Sequence, residues 1–293
     1  VTLAQSGSAP VSGYLAIDIG GTKLAAGVVS ANGELVFRDQ VPTPVSGVWE
    51  ALVPLVRRAS VAAPWPLVAC GVGVGGPMTP GGETVSTLLI PEWRGFPLRE
   101  RLVALTHLPT FIANDAQALL LGEVWCGALR GERDAIAMVV STGVGGGVLS
   151  DGRLVRGRLG NAGHIGHVVV VEDGRPCACG SHGCLEAHAS GTAIRAITGR
   201  DPREASRDIR RHTGRLVGRA LATVGALFDL RRAVVGGSVA LGFGDDFFVG
   251  CREELDERCG LDFIVGFDVG PVGLGDGAPL IGAGAVARDA TSV

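Results

Sequence analysis

Residues 14–42 read YLAIDIGGTKLAAGVVSANGELVFRDQVP, and residues 135–154 read AIAMVVSTGVGGGVLSDGRL. Each is an apolar run, a glycine-rich turn and a second apolar run, followed by Asn-Gly or Asp-Gly. That order predicts strand, tight turn, strand, tight turn. The second half of the chain opens as the first does. The near-repetition predicts two related α/β lobes with a cleft between them, and ligands favour such interfaces.

The segments between fit this frame. Residues 48–60, 96–105 and 116–129 have helical periodicity, and residues 67–76 and 109–115 read as strands. Further on come helices at roughly 203–230, a short strand at 233–237, more helix, and a small-residue helix near 279–290. Residues 1–12 are small and polar and are expected to be a disordered tail. The expected division is 13–116 plus 279–293 as a small α/β lobe and 117–278 as a large one.

Composition narrows the function classes. With 46% hydrophobic and 19% charged residues, 293 residues bury a real core. The 47 glycines are far above the usual share of about 7%, and they are not periodic, which excludes collagen. They cluster at strand ends, where backbone must approach a ligand closely. A net charge of −3 and few aromatic residues argue against nucleic-acid binding. No apolar run has membrane-spanning length, and with no charged-then-apolar opening in these residues a signal peptide is not expected. Seven cysteines, three of them clustered, do not form a disulfide framework, so cytoplasm is the expected compartment.

Four strand ends carry candidate chemistry. Asp18-Ile19-Gly20-Gly21-Thr22-Lys23 and Ser141-Thr142-Gly143 are turns whose backbone N–H groups, hydroxyls and Lys23 suit phosphate. Asp18 suits a hydrated Mg²⁺. Each turn alone is also an ordinary hairpin tip; the pair points to a triphosphate held from both sides. Asn114-Asp115 stands where a strand meets a helix, a position that suits an N-cap and equally a proton-accepting carboxylate. Gly236-Gly237-Ser238 is a fourth glycine turn, suited to pass beneath an adenosine.

Residues 161–186, NAGHIGHVVVVEDGRPCACGSHGCLE, hold Cys177, Cys179 and Cys184 within eight positions. Thiolates and imidazole are the ligands zinc prefers, four to a tetrahedral site. Spacing leaves the fourth ligand open among His164, His167, His182 and His188.

DIGGTK, GVGVGGP, IAND, STGVGGG, GHIGH…CACGSHGCLE and VVGGS occur here in the order found in the ROK family of bacterial sugar kinases and repressors, which the chain resembles over roughly residues 14–290. The resemblance implies an actin-like, hexokinase-type two-lobed ATPase fold with ribonuclease H-like repeats and a zinc-binding loop at 164–186. It implies ATP, Mg²⁺ and structural Zn²⁺ as cofactors, and a homodimer or homotetramer. It assigns Asp115 as general base, and Gly76, Asn114, Asp115, His164, His167 and Glu186 to the sugar. Asp18, Gly20, Gly21, Thr22, Lys23, Thr142 and Gly143 fall to the phosphates, and Gly236 and Gly237 to adenosine. His167 joins Cys177, Cys179 and Cys184 as the metal set. The implied reaction is phosphorylation of the 6-hydroxyl of a hexose or N-acylhexosamine, with glucose as the alternative sugar and a non-catalytic sugar sensor as the alternative class.

Three departures bear on the sugar. The usual G-E-x-G-H is Gly163-His164-Ile165-Gly166-His167, a variant similar to that of N-acetylmannosamine kinases within the family. Leu89 fills the slot of an asparagine that reaches the sugar, and the P-G-P loop reads Gly75-Gly76-Pro77. Family repressors carry a DNA-binding domain ahead of this body; 17 residues precede DIGGTK here, so none is expected.

Overall fold

The computed structural model describes residues 12–87 and 89–291; the tail expected at 1–12 lies outside them except for Ser12. Ten strands form two five-stranded sheets. The first holds β1 (Gly13–Ile19), β2 (Lys23–Ser30), β3 (Leu35–Pro42), β4 (Leu67–Val74) and β5 (Thr110–Asn114), in the order β3-β2-β1-β4-β5. The second holds β6 (Ala135–Val140), β7 (Val144–Ser150), β8 (Arg153–Leu154), β9 (Arg232–Gly236) and β10 (Asp268–Pro271), in the order β10-β9-β6-β7-β8. Read from the other edge, the second order repeats the first. The strand directions repeat too: β1–β2 and β6–β7 are antiparallel, while β1–β4, β4–β5, β6–β9 and β9–β10 are parallel. The sequence repeat is therefore a repeat of topology.

Helices are α1 (Val48–Ala62), α2 (Leu98–Thr106), α3 (Asp115–Cys126), α4 (Glu186–Ala189), α5 (Gly191–Thr198), α6 (Arg207–Phe228), α7 (Ser238–Phe243), α8 (Asp245–Arg258) and α9 (Ala278–Thr291). The chain divides into two compact units. One runs through Gly122 and resumes at Asp276; the other is Glu123–Gly275.

Each unit has its own core. In the first, Leu15, Ile17 and Leu24 pack with Leu52, Leu55 and Val56 of α1, all fully buried. On its sheet α9 comes into backbone contact, with Ala283 O lying where a side chain at Gly71 would stand. Helices on both faces explain why β2 is almost wholly buried, whereas the edge strand β3 alternates. In the second unit Ile136, Met138, Val235 and Val269 pack with Leu216, Leu221, Phe247 and Leu255. No helix of the described residues is long and apolar enough to cross a membrane.

Candidate active site

In the first unit the parallel strands β1, β4 and β5 end side by side, with Asp18 opposite Gly73 and Gly73 opposite Ala113. The carboxyl ends of parallel strands are where α/β sheets place ligands. Asp18 is the last but one residue of β1, before the Gly20–Lys23 turn, in which Gly20 N–H donates to Lys23 O at 3.0 Å. Thr43 Oγ1 clamps that turn through Gly20 O at 2.7 Å. Asp115 opens α3. Its Oδ1 accepts from Ala116 N–H at 2.8 Å, and Asn114 Oδ1 accepts from the same N–H at 3.1 Å. Asn114 thus caps the helix, as Asn prefers, while Asp115, its first residue, remains exposed.

Gly73 shows how close the two acids stand. A Cβ there would lie 3.9 Å from Asp18 Oδ1 and 3.9 Å from Asp115 Cα. Burial pushes the Asp18 carboxyl up to about 6; Lys23 pulls it down and Asp115 raises it again. The Asn114 amide nitrogen would lie 3.7 Å from a Cβ on Gly76, so Gly76, Asn114, Asp115 and Asp18 share one end of one sheet. Leu89, which is 61% exposed, lies over the Gly20–Lys23 turn: a Cβ on Gly21 would stand 2.6 Å from its Cβ.

In the second unit the equivalent turn, Ser141–Gly143, is closed by Ser141 N–H donating to Gly143 O at 2.9 Å. Ser141 Oγ is 3.0 Å from Ser238 Oγ, which joins this turn to the Gly236-Gly237-Ser238 turn at the end of β9. Beside them is a cavity of about 470 Å³. Hydroxyls of Ser141, Thr142, Thr192 and Ser238 line one part, and Val239 and Phe243 another. Gly143, Gly236 and Gly237 do not line it. Sequence reasoning missed Thr192, whose Oγ1 donates to Thr142 O at 2.9 Å, and the ion pairs of Asp201 with Arg195 and Arg203 at the cavity wall. The available signal for Thr192 was Ser190-Gly191-Thr192, a helix start whose Ser190 Oγ accepts from Ala193 N–H. The signal for Asp201 was Asp201-Pro202, the start of a short helical turn in which Asp201 Oδ1 accepts from Arg203 N–H at 3.0 Å.

The loop at 164–186 draws the expected donors together. One donor atom each from His167, Cys177, Cys179 and Cys184 lies within 4.8 Å of all the others. His167 Nδ1 is 3.6 Å from Cys177 Sγ, and Cys179 Sγ is 3.7 Å from Cys184 Sγ. A tetrahedral zinc with Zn–S of about 2.3 Å and Zn–N of about 2.05 Å has S···S edges of about 3.8 Å and N···S edges of about 3.6 Å. The donor set fits zinc in type, number and spacing. Of the four histidines open on spacing, His167 joins it. His188 is used elsewhere: its Nε2 accepts from Arg175 N–H at 3.1 Å. His164 is exposed, its ring centroid 6.0 Å from that of His167.

Glu186 follows the last cysteines. Its Oε2 accepts from Val144 N–H at 2.9 Å, fixing the metal loop to the β6–β7 turn. Gly163 lets the loop lie flat on β7, with φ +101° and a hypothetical Cβ only 2.1 Å from Gly146 O.

Known proteins resemble the chain along its length. A glucokinase of Streptomyces coelicolor is 39% identical over 182 residues, 61% of this chain and 57% of that protein, so the match spans just over half of the relative. An N-acetylmannosamine kinase of Escherichia coli is 41% identical over 251 residues, 78% of this chain and 84% of that one. The crystal structure of a ROK family glucokinase from Streptomyces griseus, in complex with glucose and AMPPNP, superposes with a TM-score of 0.78 at 32% identity, covering 94% of this chain and 99% of that one. The model of the ROK family matches residues 14–290, and the chain belongs to that family, with its hexokinase-type fold.

Proposed function

We propose that this chain transfers the γ-phosphoryl group of ATP to the 6-hydroxyl of a hexose or N-acylhexosamine, with N-acetylmannosamine the preferred sugar. The observation that carries this reading is the approach of Asp115 and Asp18 on either side of Gly73. It sets a proton-accepting carboxylate beside a glycine turn suited to phosphate, within one unit.

Asp115 accepts the hydroxyl proton as the oxygen attacks phosphorus. Asn114 and Gly76, beside it, orient the sugar. Gly20, Gly21, Thr22 and Lys23 hold phosphate oxygens, and Asp18 would orient a hydrated Mg²⁺, which would supply neutralising charge. In the second unit, Thr142 and Gly143 serve the phosphates and the cavity by Ser238 receives adenosine. Phosphoryl transfer needs little covalent help, so positioning and charge neutralisation carry the rate.

His167, Cys177, Cys179 and Cys184 would hold zinc. When bound, it supplies a rigid frame: four protein ligands fill its shell and leave no open position for chemistry. Were zinc held through Nδ1, the His167 nitrogen that faces Cys177 Sγ, the ring proton would stand on Nε2 and the ring would be a hydrogen-bond donor to the sugar. Glu186 accepts from Val144 N–H and retains acceptor capacity for a sugar hydroxyl. His164 favours the N-acylhexosamine, because imidazole offers a donor and an acceptor where a carboxylate only accepts. Leu89, which lies over the Gly20–Lys23 turn, offers no hydrogen bond to the sugar, and this counts against tight recognition of glucose.

Asp115→Asn tests the reading. It keeps the size of the side chain but removes the proton acceptor, and should lower kcat by about 10²–10⁴ with sugar KM little changed. Wild-type kcat in that variant would remove Asp115 from the role.

A further inference from the structure

The metal loop is anchored from outside itself. Its stem pairs residues 168–171 with 183–185: Leu185 N–H donates to Val168 O and Val170 N–H to Gly183 O, each at 2.9 Å. Two of the four metal-set residues belong to this stem: His167 directly precedes it, and Cys184 lies within it, opposite Val169. Val170 is 4% exposed, so its carbonyl needs a partner within the protein. That partner is Arg219 of α6, whose Nη1 donates to Val170 O at 2.8 Å.

The same guanidinium is held in turn. Its Nε donates to Glu254 Oε1 of α8 at 2.8 Å, and the Glu254 side chain is 4% exposed. A second guanidinium, Arg258, binds that carboxylate through Nε. Burial raises the Glu254 carboxyl, but the guanidiniums of Arg258 and Arg219 outweigh it and hold the group below its ordinary value, ionised. The helices beneath touch backbone to backbone. A Cβ on Gly214 would lie 2.0 Å from Phe247 O, and one on Gly250 would lie 2.2 Å from Arg211 O. A rigid helix pair therefore offers one fixed donor to one loop carbonyl.

We propose that Arg219 is a positioning residue: it ties the stem of the metal loop, and with it His167 and Cys184, to the α6–α8 pair. The consequence for the sugar rests on the kinase reading above. Arg258 provides an internal control. It shares Glu254 but is not the donor to Val170 O. Each single variant leaves Glu254 one guanidinium, so neither strands an unpaired buried charge.

The test compares full-length wild type, Arg219→Met and Arg258→Met by three measurements. They are hydrogen exchange at the Val170, Val171 and Leu185 amides, zinc release to excess chelator, and steady-state kinetics with N-acetylmannosamine. Arg219→Met should exchange the stem amides and release zinc about tenfold faster, the low end of what a lost supporting contact costs a metal site. Its sugar KM should rise while kcat at saturation holds. Arg258→Met should match wild type in all three even if its Tm falls as far. Equal loss in both variants, or no loss in either, overturns the proposal. The zinc content of the wild type checks the metal reading separately: a zinc-free protein whose stem still loosens only in Arg219→Met would end that reading and support the anchor.

Discussion

At the scale of single residues, Asp18 is ionised against its surroundings. Its carboxyl titrates at about 6 in the folded chain, against an ordinary value of 3.8. Between those two values the folded protein holds the proton that the unfolded chain has lost, so stability falls as pH rises through the window, and the cost is complete above it. Asp18→Asn removes the charge. It should raise Tm at pH 7.5, with the gain fading towards zero near pH 4, while catalysis drops. Thermal unfolding across that pH range checks this, and identical curves for the two proteins would refute it. Lys23 offers a second handle, since it is the only lysine in the 293 residues. Amine acylation followed by peptide mass mapping reports on the phosphate turn directly. Mg²⁺-ATP should slow modification of Lys23; equal labelling with and without nucleotide would take Lys23 out of the phosphate site.

At the scale of elements, the glycine turns were legible because a hairpin tip writes itself locally, in two glycines between apolar runs. The donor types of the metal loop were legible for the same reason, but the identity of its histidine was not. Spacing left four candidates, and only the fold of the stem brings His167 Nδ1 within 3.6 Å of Cys177 Sγ. Strand β10 escaped notice: its four residues include Gly270 and Pro271, which weaken any strand pattern, and it exists by pairing with β9 at the sheet edge. Thr192 and Asp201 escaped because tertiary packing, not local pattern, carries them to the cavity. Gly163→Ala tests the loop as an element. Its positive φ alone costs about 1–3 kcal/mol for a residue with a side chain, and the Gly146 carbonyl leaves no room for a methyl group. The variant should lose thermal stability and release zinc faster to a chelator; unchanged metal retention would show that the seating of the loop on β7 does not matter to the site.

At the scale of the whole molecule, one topology serves twice. Each sheet pairs an antiparallel three-stranded meander with two parallel strands, and each places a glycine turn at the same strand junction. The first unit adds Asp115 to its copy, and the second adds the metal loop and the cavity beside Ser238. The chain is similar both to a protein named N-acetylmannosamine kinase and to one named glucokinase, and on the proposed reading the choice between their sugars rests on His164 and Leu89. The most direct measurement is a coupled ADP-release assay on the wild-type chain with Mg²⁺-ATP and glucose, mannose, N-acetylglucosamine and N-acetylmannosamine in turn. The account predicts turnover, with kcat/KM highest for N-acetylmannosamine. Sugar binding without ADP release from any of the four would contradict it.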